Sequence, residues 1–210
     1  MEQKKYCHEI TKETPHGNLI IRGPVIGAEI ENLKMDDGLQ AFRSPKQQKE
    51  AITDIANLPE GRVIIAIHED TIIGYVTFLY PDPLERWSQA KMDNLLELGA
   101  IEVSSNYRHI HVGEDLLKVA FLDDAMEDFI IYTTEYYWHW DLKNTKLSIW
   151  DYRKMMEKMM SSAGLEWFAT DDPEICSHPA NCLMVRIGKR VPLTSIEEFD
   201  HIRFMNRFMY

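Results

Sequence analysis

Short apolar runs separated by turn residues divide this chain into alternating strands and helices. Asn18–Arg22 (NLIIR) is β-rich and closed by Gly23-Pro24, which predicts a first strand. A helical region follows. Ser44-Pro45 starts a helix whose inner positions Gln48, Ala51, Ile52 and Ile55 carry it to Asn57, before Pro59. Arg62–Ile67 and Thr71–Tyr80 read as a hairpin divided by the tight, acidic turn His68–Asp70. Pro81-Asp82-Pro83 then breaks the chain, and Leu84–Met92 is predicted as a short surface helix. Leu96–Val103 is the next strand, with Gly99 marking a bulge or a close backbone approach.

A helix begins at Gly113, with Leu116, Leu117, Ala120 and Phe121 on one face, and Phe129–Thr134 is a strand. Tyr152, Met155, Met156, Met159 and Met160 form a second helical stripe, read as core more readily than as a partner groove. Glu166–Thr170 is expected as a strand and Pro179–Ile187 as a helix. Thr194 or Ser195 is placed as the cap of a last helix bearing Phe199, Ile202, Met205 and Phe208. With no repeat or low-complexity linker, the expectation is one α+β domain over 1–210, with an extra C-terminal helix at about 194–210.

Composition narrows the function classes. A chain of 210 residues can bury a core without disulfides or structural metal. The formal charge of −11 is spread over both halves, which argues against nucleic acid and anionic membranes as partners. No 18 apolar residues run together, and the N-terminus lacks a signal-like apolar stretch, so a cytoplasmic protein is expected. Cys7, Cys176 and Cys182 include no CxxC pair. Cys176 and Cys182 read as buried apolar side chains. His109 and His111 alternate without a third ligand at close spacing, so no metal is expected.

The segment from Ile101 to Leu116 is a strand, a polar turn and a helix start. Such a junction offers backbone N–H groups and the positive end of a helix dipole to an anion. Gly113 admits close backbone approach and Arg108 adds a cation. Glu102 lies in an apolar strand, on the face opposite Ile101 and Val103. A carboxylate partly buried at a strand end is suited to general-base work. The alternative is a Glu facing solvent or a lysine.

Tight hairpin, strand with an acidic end, R-x-x-x-x-G turn and amphipathic helix together resemble the GNAT acyltransferases. That resemblance implies a mixed, mainly antiparallel sheet with helices on both faces, and acetyl-CoA as acetyl donor. The family's (Arg/Gln)-x-x-Gly-x-(Gly/Ala) turn is matched at its ends by Arg108 and Gly113, with His111 in place of the first Gly. A negative φ at His111 would suit that exchange, since backbone amides do most of the gripping. The resemblance thus implies Glu102 as base, and Ile101, Val103, Arg108, His109, His111, Val112, Gly113 and Glu114 as the acetyl-CoA-contacting stretch. A backbone N–H near Val103 would stabilise the developing oxyanion. Asn181…Gly188 resembles the closing helix, whose Asn lies near the pantetheine arm. The Tyr that protonates the leaving thiolate in many relatives falls at Met184. Tyr136, Tyr137 and Tyr210 remain as possible substitutes.

Longer strings narrow the resemblance further: YPDPLERW, LELGAIEV, TTEYYWHWDLK, YRKMMEKMM and EWFATD…SHPANCLM…RIGK. They are similar to a bacillar branch of the family tied to acetoin and acetate metabolism. What this implies is acetylation of a lysine in acetyl-CoA synthetase, switching that enzyme off. Two alternatives stand beside it: a non-catalytic CoA-binding inhibitor of the synthetase, and a small-molecule amine acetyltransferase. Of the other conspicuous features, the aromatic run Thr133–Asp141 reads equally as a substrate-facing wall or partner surface and as core and edge packing. Asp171-Asp172-Pro173-Glu174 reads as a solvated turn or as an attractor for lysine.

Overall fold

The computed structural model describes residues 3–205, which fall into two compact units. One comprises residues up to Leu79 together with Leu98–Met126; the other comprises Tyr80–Glu97 and the chain from Glu127 onward. In the first, β1 (His8–Thr14) pairs antiparallel with β2 (Gly17–Gly23), β2 with β4 (Arg62–His68), and β4 with β5 (Thr71–Leu79). The two-residue β3 (Lys34–Met35) lies parallel to β5. Strand β6 (Leu95–Val103) follows β5 in the sheet order.

Strands β4 and β5 are almost wholly apolar because both of their faces are covered. On one face, Val63, Ile65, Ile67, Ile72 and Tyr75 pack with Ile30 of α1 (Gly27–Glu31), Leu39, and Ile52 and Ala56 of α2 (Pro45–Asn57). On the other, α3 (Val112–Ala120) packs against β2, β4 and β5. Helix α2 begins and ends at the positions its pattern predicts, and the hairpin turns at His68–Asp70 as expected. Gly99 is a close approach, since a Cβ there would come within 2.8 Å of Leu79 Cδ2.

Strand β1 was not expected. Its sequence HEITKET has one aliphatic residue and alternates half-buried and exposed positions, the signature of an edge strand rather than a core one. Arg62 lies beneath this end of the sheet, 1% exposed, donating to Glu60 O (2.9 Å) and Lys4 O (2.8 Å). Its Nε stands 4.0 Å from the buried Asp123, which also accepts from the amides of Tyr6 (3.2 Å) and Ala125 (3.0 Å).

In the second unit, β6 starts parallel to β7 (Ile130–Glu135) at Leu95↔Ile130, Leu96↔Ile131 and Glu97↔Tyr132. β7 pairs antiparallel with β9 (Cys182–Ile187), and β9 with β8 (Glu166–Phe168). Helices α4 (Leu142–Thr145), α5 (Ile149–Ser161), α6 (Pro173–Cys176) and α7 (Leu193–Arg203) complete it. The helix expected over Pro179–Ile187 is therefore a strand. Its six apolar-rich residues are too few for a stable helix, and they are buried between two strands.

The surface helix expected over Leu84–Met92 is only a 3₁₀ turn, Arg86–Ser88. Trp87 is 2% exposed, against Tyr132 and Phe199, and the Arg86 guanidinium pairs with Asp171 at 2.8 Å. Neither Thr194 nor Ser195 caps α7. Pro192 takes the capping position, and Ser195 Oγ accepts from Asn94 Nδ2 at 3.0 Å. Phe199 and Ile202 are core, whereas Phe208 lies outside the described residues. Along α5 only Met156 and Met160 are buried; Met155 is exposed. Cys176, expected inside, is exposed, and burial pushes the Cys182 thiol up to about 12. Among the described residues, no helix is long and apolar enough to cross a membrane.

Two stability outcomes follow from these packing arrangements. Removing one partner of a buried charge pair leaves the other uncompensated, so Arg62→Ala should cost about 3–5 kcal/mol in urea unfolding. Glu97 and Glu135 are pushed from 4.5 to about 7, chiefly by burial. A carboxylate raised in the folded state is destabilising once charged, so stability should fall as pH rises from about 4.5 through about 7. Unfolding free energies across that window should decline less in Glu97→Gln/Glu135→Gln than in the wild type.

Candidate active site

Glu102 is the penultimate residue of β6 and is 7% exposed, although its neighbours Ile101 and Val103 are only half-buried. Both carboxylate oxygens are engaged. Oε1 accepts the backbone N–H of Ala41 at 2.7 Å, and Oε2 accepts the Tyr75 hydroxyl at 2.7 Å. Tyr75 is fully buried on β5. Burial, and then the charge of Glu102, push its phenol far above the ordinary value, so it remains a donor. Glu102 has no ion pair among the described residues.

Beyond Val103 the chain leaves the sheet through tightly held contacts. The Ser104 amide donates to Ile73 O at 2.8 Å, and its hydroxyl donates to Asp36 Oδ1 at 2.6 Å. A 3₁₀ turn follows at Ser105–Tyr107. The Tyr107 hydroxyl lies 2.7 Å from His68 Nδ1, and His16 packs against its ring at 4.8 Å. Arg108 is extended and half-buried.

The negative φ expected at His111 is not what the fold adopts. His111 has φ 60° and ψ 27°, and His109 has φ 66°. The left-handed region is disfavoured for L-residues by about 1–2 kcal/mol, although histidine enters it more readily than most. His111 thus holds the backbone shape that a glycine would adopt freely. The first intrahelical bond of α3 is Asp115 N–H to His111 O at 3.2 Å, so the amides of Val112, Gly113 and Glu114 have no carbonyl four residues back.

Two acids in this first turn would oppose an anion, and both are answered. Lys12 Nζ of β1 stands 2.5 Å from Asp115 Oδ2, and His111 Nδ1 stands 3.0 Å from Glu114 Oε1. Open helix amides, a buried Gly113 and Arg108 nearby make a cradle that fits a phosphate.

The first unit therefore brings together Ile101, Glu102, Val103, Arg108, His109, His111, Val112, Gly113 and Glu114. Asn181 belongs to the second. It precedes β9 rather than standing on a closing helix, and its amide is engaged with Tyr137 N–H (3.0 Å), Glu174 O (3.0 Å) and Ser177 Oγ (3.4 Å). Met184 is buried on β9, opposite Thr133 and Trp167. Of the tyrosines weighed as acids, burial pushes Tyr136 up, and Tyr210 lies outside the described residues. The aromatic run is divided between packing and exposure. Trp140 stacks on Tyr152 at 5.1 Å and donates to Glu135 at 3.1 Å, whereas Trp138 is 49% exposed. Among the described residues, no three His, Cys, Asp or Glu side chains converge as a metal site would require.

The sequence reading missed Tyr75, Ala41, Asp36 and Lys12. For Tyr75 the one available signal was a phenol inside β5, a strand that is apolar apart from Thr71 and Thr77. A backbone amide from residue 41 leaves no signal at all.

The GNAT acetyltransferase family model matches residues 28–145. The acetoin utilization protein AcuA of Bacillus subtilis is 57% identical over 210 residues, covering 100% of both chains. Its counterpart in Bacillus licheniformis is 58% identical over the same span. The crystal structure of an acetoin utilization protein from Exiguobacterium sibiricum aligns with a TM-score of 0.96 at 56% identity, over 99% of this chain and 98% of that one. Matched over more than half its length by the family model and end to end by these relatives, the chain belongs to the GNAT acetyltransferases, which use acetyl-CoA.

Proposed function

We propose that this acetyltransferase modifies a lysine of acetyl-CoA synthetase in the cytoplasm, inactivating that enzyme and linking its control to acetoin and acetate use. The names of its full-length relatives support the metabolic setting. The observation that carries the chemistry is Glu102: a buried carboxylate with no ion pair among the described residues, directly ahead of the α3 turn.

Acetyl-CoA, when bound, supplies an acyl group activated as a thioester. Arg108 and the amides of Val112, Gly113 and Glu114 hold its phosphates, and Ile101 and Val103 border its path along β6. A lysine ammonium, with a reference pKa near 10.4, must lose a proton before it can attack. Glu102 receives that proton, since a carboxylate oxygen that accepts one hydrogen bond retains capacity for another. The Val103 N–H meets the charge developing on the acyl oxygen. A thiol with a reference pKa near 8.5 leaves without a dedicated acid, consistent with a methionine at position 184.

The left-handed His111 bears on the non-catalytic alternative, because it keeps the turn's backbone in the shape a glycine would give it.

Purified protein, acetyl-CoA and the synthetase should yield an acetylated lysine by mass spectrometry. Glu102→Gln should slow that transfer by about 10²–10⁴-fold, the usual contribution of a positioned base, and wild-type turnover would remove Glu102 from the mechanism. If backbone shape rather than imidazole chemistry governs donor binding, His111→Gly should leave the KM for acetyl-CoA within about twofold. His111→Val, β-branched where φ is positive, should raise it by about tenfold or more. Initial-rate kinetics on both variants would decide.

A further inference from the structure

Glu102 is surrounded by a second layer that its own packing does not need. On the β5 side, the Tyr75 ring sits in an apolar cluster with Leu39, Ile52 and Val63, which a phenylalanine would fill equally well. The Tyr75 hydroxyl makes one hydrogen bond there, 2.7 Å to Glu102 Oε2. On the other side is the connection between β3 and α2, residues 36–44, whose Ala41 amide reaches Glu102 Oε1.

This connection is anchored upstream of Ala41. The Asp36 amide donates to Ile72 O at 3.0 Å, and Asp36 Oδ1 accepts from both Gly38 N–H (2.8 Å) and the Ser104 hydroxyl (2.6 Å). Leu39 is fully buried in the core, whereas residues 40–44 are exposed. Downstream, Pro45 starts α2. The strap is thus pinned through Asp36 to Ser104, two residues beyond Glu102, and carries its one donor to the carboxylate.

Burying a carboxylate costs several kcal/mol, and two neutral donors, with Arg43 of the strap acting only through space, recover part of that. Replacing buried polar partners by apolar groups of the same shape can be neutral or stabilising, so packing alone does not call for a carboxyl here. We infer that Tyr75 and the Ala41 amide are the positioning pair of the general base. Arriving from two different elements, they fix the carboxylate's rotamer and leave its remaining lone pairs free to accept the acceptor's proton. This inference rests on Glu102 being the base.

Tyr75→Phe and Ala41→Pro each remove one donor. Each should lower kcat about tenfold while leaving the KM for acetyl-CoA within about twofold, because donor binding belongs to the α3 turn. Losing a donor to the charged form should also move the acid limb of the kcat/KM profile to higher pH by about one unit. The titratable and charged groups facing this pair are Tyr75 itself from β5 and Arg43 from the strap, and neither variant alters Arg43. A general loss of stability would lower the active fraction without displacing that limb. If Tyr75→Phe fails to fold by circular dichroism, Ala41→Pro carries the test. Wild-type kcat and pH profile in the folded variants, beside an inactive Glu102→Gln, would overturn the positioning role and leave the base intact. An active Glu102→Gln would overturn both.

Discussion

Keeping a carboxyl side chain buried among apolar strands requires donors at fixed positions, and around Glu102 this requirement organises the neighbouring chain. Water would solvate the carboxylate freely, but at 7% exposure the protein must take over that task. It does so with a phenol from the adjacent strand and an amide from a connection that would otherwise be an ordinary loop. That explains why residues 36–44 carry so many anchors for so short a segment. A mobile strap would lose the Ala41 bond and leave the charge under-solvated. The sheet supplies rigidity, the strap supplies the donor, and Ser104 ties the two together through Asp36.

The turn into α3 solves the complementary problem, since it prepares for a negative charge that comes from outside. Here the backbone matters more than the side chains. A residue at φ 60° leads into the helix here, and the chain places a histidine there and accepts its strain. The same imidazole then reaches Glu114, one of two acids in the helix's first turn, while Lys12 holds the other. Substituting histidine for glycine therefore alters the electrostatics of the turn without altering its course.

How much of this was legible in the sequence depended on whether the signal was local. Helix α2 announced itself through Ser44-Pro45 and a periodic inner face, and the β4–β5 hairpin through two apolar runs flanking an acidic turn. Glu102 was legible because an acid at the end of an apolar strand, just ahead of a polar turn, is an inconsistency with few explanations, although Glu97 shares that strand. The misses have a different origin. Strand β1 is held by pairing with β2, not by its own apolar content. The Cys182–Val185 run fits helix and strand equally until β7 and β8 are seen beside it. Trp87 sits in a segment broken by prolines, and only tertiary packing turns that segment inward. The clamp on Glu102 was invisible for the simplest reason, because its donors lie 27 and 61 residues away and one is a backbone group.

Net charge, finally, constrains how the two substrates can be bound. A chain of −11 repels a phosphate-bearing donor at long range, so the proposed capture rests on contact with α3's amides and the few cations around them. Screening at physiological salt shortens the repulsion to about 8 Å, within which those local groups dominate. An amine acceptor meets the opposite situation. Under the proposed reading, a lysine on a partner surface would approach an acidic protein as a cation and be drawn in, but it would have to shed its proton before reacting. A buried carboxylate with fixed donors suits that sequence, because the field that attracts the ammonium ends at a group able to take its proton.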